Sequence, residues 1–157
     1  MTAAEQHPLS AEELAAWRGL LAVHSSMIAR LDAELEREHG LPLSWYEALL
    51  HLAEAPDGSL RMGQRADRLF LSRSGLTRLI DRLVKAGLVE REACESDRRG
   101  YFARLTETGR ARFLQARPTH LRGVREHFLS KLGRRDLEAL GRVWEKVGSV
   151  AADGPGC

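Results

Sequence analysis

Cysteine is scarce in this chain: Cys94 and Cys157 are the only two in 157 residues. They make neither a disulfide framework nor a Cys-x-x-Cys metal motif. No apolar run approaches the roughly 20 residues that a membrane span needs. The start, MTAAEQHPLSAEEL, has no basic n-region and no apolar h-region, so no secretory leader is visible and a cytoplasmic protein is the expectation. The usual marks of catalysis are missing too. There is no His-x-x-x-His pair, no nucleophile elbow and no Gly-rich phosphate loop. His7, His39, His120 and His127 stand alone, and the seven-residue step from His120 to His127 is a weak metal spacing. Neither an enzyme nor a bound cofactor or metal is expected. No internal repeat is present.

What is present suits one globular domain over residues 1–157. Apolar content of 43% and charged content of 29% are ordinary for such a protein, and the length supports a real core. The net charge of +2 conceals a polarity. Arg61 to Arg112 carries 13 Lys and Arg against 7 Asp and Glu, a net of +6, and the remainder is at −4. The basic excess sits where the phosphate-reading elements would be, which points to a phosphate-facing surface.

The flanks read as helices. Ser10-Ala11-Glu12-Glu13 is a capping box with Leu9 and Leu14 as its staple. Leu14, Trp17, Leu20, Leu21, His24, Ile28, Leu31 and Leu35 then form an apolar stripe ending near Gly40. A second helix is predicted from Ser44, with a capping box to Glu47 and Pro42 upstream, to about Ala55. It buries some combination of Trp45, Leu49, Leu50 and Leu52. Pro56-Asp57-Gly58 is a turn, and Met62 to Leu69 a short helix, the first arm of a helix-turn-helix. Thr106 caps a helix carrying Phe113, Leu114, Leu121, Val124 and Phe128, which Pro118 interrupts or kinks. Gly133 separates it from a last helix with Leu137, Leu140, Trp144 and Val147. Residues 151–157 read as a disordered tail.

The most informative stretch runs from Ser72 to Leu105. Ser72 is a good N-cap. Leu76, Leu79, Ile80 and Leu83 follow the i, i+3, i+4, i+7 rule and form one buried stripe, while Arg73, Ser74, Thr77, Arg78 and Arg82 fall off it. Gly87 stands where a C-cap glycine belongs. Strands are predicted at Leu88 to Glu92 and Phe102 to Leu105, joined by a turn holding Ser96, Asp97, Arg98, Arg99 and Gly100. An Arg fork can give two hydrogen bonds to a guanine edge. An Arg at a hairpin tip can enter a minor groove. Helix, Gly stop and Arg-tipped hairpin, in that order, are what a winged helix-turn-helix needs to read DNA.

The runs LTRLIDRLVKAGLVERE and DRRGYFARLTETG resemble the MarR family of winged-helix transcriptional regulators. The resemblance rests on Thr77-Arg78, Gly87-Leu88-Val89, Asp97 with Arg99, and Leu105-Thr106 with Gly109, and by helix order it extends from about Leu9 to about Val150. It implies a mainly α fold with a small β-hairpin wing: a winged helix-turn-helix core at residues 42–106, and N- and C-terminal dimerisation helices at 9–38 and 107–150. The site residues expected are Ser72, Arg73, Ser74, Thr77, Arg78 and Arg82 on the recognition helix and Asp97, Arg98 and Arg99 on the wing. Arg78 is the foremost base contact, with Arg73 and Ser74 as neighbours. Thr77 and Arg82 hold phosphates, Arg98 or Arg99 reaches the minor groove, and Asp97 braces the wing.

The terminal helices carry more apolar positions than a small winged helix can bury. A homodimer would absorb them and set two recognition helices about 34–36 Å apart, matching an inverted-repeat operator in double-stranded DNA. The alternative is that these helices pack only within their own chain. The family resemblance further implies repression relieved by a small aromatic or phenolic effector. Trp17, His24, Trp45, Tyr46 and His51 are candidates to line its cleft, or else they are core and surface residues. No cysteine precedes Cys94, which disfavours the N-terminal cysteine oxidant sensing of some relatives. Two further readings stay open, a winged helix used for protein contacts alone and an architectural DNA binder without effector control.

Overall fold

The computed structural model describes residues 8–61, 73–93 and 101–152. Five helices and a small sheet make up those residues, and helix dominates, as the sequence predicts. None of the described helices is long and apolar enough to cross a membrane.

Helix α1 spans Ala11–His39. Its start is the predicted capping box: Ser10 Oγ accepts from the Glu13 N–H at 3.1 Å, and the Ser10 N–H donates to Glu13 Oε2 at 2.7 Å. Helix α2 spans Leu43–Glu54 and begins one residue earlier than expected. The Ser44–Glu47 box does not form. Instead Asp32 of α1 accepts from the Leu43 N–H at 2.8 Å, while the Pro42 carbonyl accepts from the N–H groups of Trp45 and Tyr46. A carboxylate from a neighbouring helix thus replaces the local cap, which pattern within the segment could not reveal.

A turn at Pro56–Gly58, with Asp57 and Gly58 both at positive φ, leads into strand β1, Ser59–Arg61. Helix α3 spans Arg73–Lys85. Strands β2, Val89–Ala93, and β3, Tyr101–Leu105, are each shifted by about one residue from the predicted limits. All pairing is antiparallel, in the order β1-β3-β2. Strand β1 was not anticipated, because three residues are too few to show an alternation. The predicted helix at Met62 to Leu69 and the Ser72 cap lie outside the described residues.

Helix α4, Glu107–His127, starts with the predicted Thr106 cap, whose Oγ1 accepts from the Gly109 N–H at 3.0 Å. It runs unbroken through Pro118. The bond that Pro118 cannot donate would go to the carbonyl of Leu114, and both residues lie on the exposed side of the helix, where a missing backbone bond costs least. Helix α5, Arg134–Ala152, follows Gly133 and extends two residues into the stretch read as tail.

The core joins Leu31 and Leu35 of α1 to Tyr46, Leu49 and Leu52 of α2. It continues through Leu76, Leu79, Ile80 and Leu83 of α3, then Val89, Ala103, Phe113 and Ala116. The rest of the α1 stripe is not covered by its own chain. Trp17, Leu20, Leu21 and Ile28 are exposed, as are Leu137, Val143, Trp144 and Val147 on α5.

One polar knot ties α3, the sheet and α4 together. Gly87 adopts a φ of +73°, open to glycine without strain, and so ends α3. The Thr106 hydroxyl donates to the Gly87 carbonyl at 2.8 Å, and the Thr106 N–H donates to the Leu88 carbonyl at 3.2 Å. The backbone of Gly109 passes so close to Leu88 that a Cβ there would run into the Leu88 carbonyl and the Leu105 side chain. Gly109→Ala should therefore destabilise the fold by about 1–3 kcal/mol, although alanine is the better helix former by roughly 1 kcal/mol. Thermal unfolding checks this, and a raised melting temperature would contradict it.

A second seam joins α1 to α4. Glu38 accepts from Arg122 at 2.6 Å and from the Thr119 hydroxyl at 2.8 Å. With its hydroxyl proton so committed, Thr119 Oγ1 accepts from His39 Nε2 at 2.8 Å, and Arg112 donates to the His39 carbonyl at 2.7 Å. The hydrogen bond from Arg122, then that from Thr119, holds the Glu38 carboxyl down from 4.5 to about 2. A depressed carboxylate stabilises the fold fully above its unfolded value, and that stabilisation is lost as pH falls through the folded one. Between pH 4.5 and about 2 the melting temperature of the wild type should thus fall more steeply than that of Glu38→Gln. Parallel curves would show that Glu38 gains nothing from folding.

Candidate nucleic-acid interface

Helix α3 divides cleanly. Leu76, Leu79, Ile80 and Leu83 are each at most 5% exposed, so the opposite side, with Thr77, Arg78, Asp81, Arg82 and Lys85, faces outward. The apolar period alone dictates this orientation: once four side chains are seated, the guanidinium groups of Arg78 and Arg82 have nowhere to go but solvent. Arg73 and Ser74 form the first turn of the same helix. Of the other predicted site residues, Ser72, Asp97, Arg98 and Arg99 lie outside the described residues.

The hairpin stands beside α3, linked to it by the short Ala86-Gly87-Leu88 connection. Leu88 is a buried link rather than a strand residue: its N–H donates to the Leu83 carbonyl at 3.0 Å. Arg91 of β2 makes an ion pair with Asp81 of α3 and lies over the Tyr101 ring of β3, 4.6 Å from its centroid. Arg104 pairs with Glu92 across the hairpin at 2.7 Å. Sequence reading missed Asp81 and Arg91. The available signal was an acidic residue among the arginines of a helix face expected to meet phosphate, which calls for a compensating cation.

The five aromatic and histidine candidates for an effector cleft are spread over α1 (Trp17, His24) and α2 (Trp45, Tyr46, His51). Tyr46 is 1% exposed and belongs to the core, packed on Phe113 and stacked on His120 with ring centroids 4.4 Å apart. It therefore lines no open cleft. Burial pushes the Tyr46 hydroxyl up and His120 down, so both remain neutral at physiological pH. Trp45 and His51 are half-buried on α2, and His24 is exposed on α1. Glu47, near His24, is pushed up by burial. Trp17 lines a groove of about 540 Å³, opposite Leu140, Val143 and Trp144 of α5 and beside Phe128. His127 is engaged by Glu34 at 2.5 Å. Among the described residues no group of His, Cys, Asp and Glu could hold a metal ion.

A recognition-type helix followed by an antiparallel hairpin, backed by a third short strand and framed by long helices, is a winged-helix fold. Residues 39–100 match the model of the MarR family. Over 94% of its length the chain superposes on 99% of AbsC, a MarR family transcriptional regulator from Streptomyces coelicolor, with a TM-score of 0.86 and 35% identity. Sco3205, a MarR family transcriptional regulator from the same organism whose structure was solved in complex with DNA, matches with a TM-score of 0.86 and 35% identity, covering 93% of this chain and 91% of that one. The HTH-type transcriptional regulator MhqR of Bacillus subtilis is 29% identical over 111 residues, 71% of this chain and 74% of that protein. The chain belongs to the MarR family of transcriptional regulators. It is a regulator by descent and not an enzyme.

Proposed function

We propose that the protein is a sequence-specific double-stranded DNA-binding repressor that acts as a homodimer on an inverted repeat and is released by a small aromatic effector. The observation that carries the DNA reading is the outward set of Thr77, Arg78 and Arg82 on a helix whose other side is locked into the core. Arg78 reads a base edge, with Arg73 and Ser74 beside it at the helix start. Thr77 and Arg82 hold phosphates, Arg98 or Arg99 reaches the minor groove, and Asp97 braces the wing. The DNA complex of Sco3205 supports the same use of the fold.

The dimer reading is supported by the uncovered apolar faces of α1 and α5. Trp17, Leu20, Leu21, Val23, Val143, Trp144 and Val147 are each more than 40% exposed, and a monomer rarely leaves so continuous a surface in water. Residues 9–38 and 107–150 would supply the dimer interface, and 42–106 the DNA-binding core. An effector near the junction of the two would act by favouring one spacing of the recognition helices.

Two outcomes are expected. Arg78→Ala should lose roughly 1–3 kcal/mol on the cognate duplex and relax its specificity. Titration of cognate and random duplexes checks this, and an equal loss on both would contradict base reading. Trp144→Asp should convert a dimer to a 17.5 kDa monomer in light scattering. A monomeric wild type would remove the dimer from the account.

A further inference from the structure

We infer that Asp81 and Arg91 are a positioning pair that sets the angle between the recognition helix and the wing, and so controls how many DNA contacts the wing makes. The inference rests on the DNA-binding reading above.

Val89, Arg91 and Ala93 alternate onto one face of β2, which is turned to the core at Val89, 2% exposed, and opens to solvent by Arg91 and Ala93. The Arg91 stem therefore leaves β2 on the inner side, next to the buried Ala103 opposite it. Its guanidinium is partly exposed and meets Asp81. Tyr101 is its diagonal neighbour on the same face. The Tyr101 hydroxyl is buried with no hydrogen-bond partner among the described residues, whereas its ring face carries the Arg91 cation. One guanidinium thus touches both hairpin strands and α3. The direct backbone link between α3 and β2 is only Ala86 to Leu88, a turn around a glycine.

Asp81 itself stands among the outward arginines of α3. It sits three residues after Arg78 and one before Arg82, on the outward side of α3. A carboxylate there repels phosphate, so on charge alone its presence weakens DNA binding. Ion-pairing with Arg91 cancels that charge and turns it to use as a strut. Arg91 in turn is committed to Asp81 and Tyr101 rather than to DNA.

The two ideas predict opposite signs for one substitution. If Asp81 acts only through its charge, Asp81→Asn tightens DNA binding. If it positions the wing, Asp81→Asn weakens binding and also flattens the salt dependence, because log Kd against log salt loses about 1 in slope for each phosphate contact dropped. The experiment titrates wild type, Asp81→Asn and Asp81→Glu on the same duplex at several salt concentrations, with thermal unfolding of each. Expected are weaker binding and a shallower slope for Asp81→Asn, and near wild-type behaviour for Asp81→Glu, which keeps the carboxylate. Unchanged or tighter binding by Asp81→Asn overturns the inference. So does weaker binding at an unchanged slope with a lowered melting temperature, which marks a merely structural loss. Failure of the wild type itself to bind any duplex removes the DNA reading, and the inference with it; an indifferent Asp81→Asn beside a binding wild type removes the inference alone.

Discussion

The seating of Leu76, Leu79, Ile80 and Leu83 in the core, none more than 5% exposed, is the interaction on which the rest of this molecule depends. Each such side chain contributes roughly 1.5–3 kcal/mol when fully buried, far more than any exposed ion pair on the same helix. That difference decides which way α3 faces. The arginines are presented because the leucines are held, and a rotation of the helix by a quarter turn would bury a guanidinium. On the proposed DNA-binding reading, affinity for phosphate and choice of base become matters of which groups stand on the outward side.

The remaining contacts around α3 fix its direction. Gly87 stops it, Thr106 bonds back to Gly87 and Leu88, and Gly109 brings α4 against the same spot. The result is a rigid corner from which helix and hairpin diverge. The α1–α4 seam, built on Glu38, Thr119, His39 and Arg122, connects that corner to the long helices. In the proposed dimer, a change in how two copies meet would reach the recognition helices through these packed elements.

Much of this was legible in the sequence because it is local. The period of the leucines in α3, the Ser10 and Thr106 caps and the glycine stops all act within a few residues, and they appear where the pattern places them. What was not legible depends on partners distant in the chain. Asp32 moves the start of α2 off Ser44. Strand β1 exists because β3 is there to pair with it. Tyr46 is core rather than cleft because Phe113 and His120, some seventy positions away, close over it. The Asp81–Arg91 strut joins two elements that a single-segment reading treats separately. Apolar stripes on α1 and α5 are equally plain in sequence and structure, but neither one alone supplies the surface that covers them.

The most direct measurement is selection of bound sequences from a random duplex pool by the purified protein at moderate salt. The account predicts enrichment of an inverted repeat with half-sites one helical turn apart, since two recognition helices related by a two-fold axis read the same bases twice. Recovery of only salt-sensitive, sequence-blind binding, or of nothing, would contradict it.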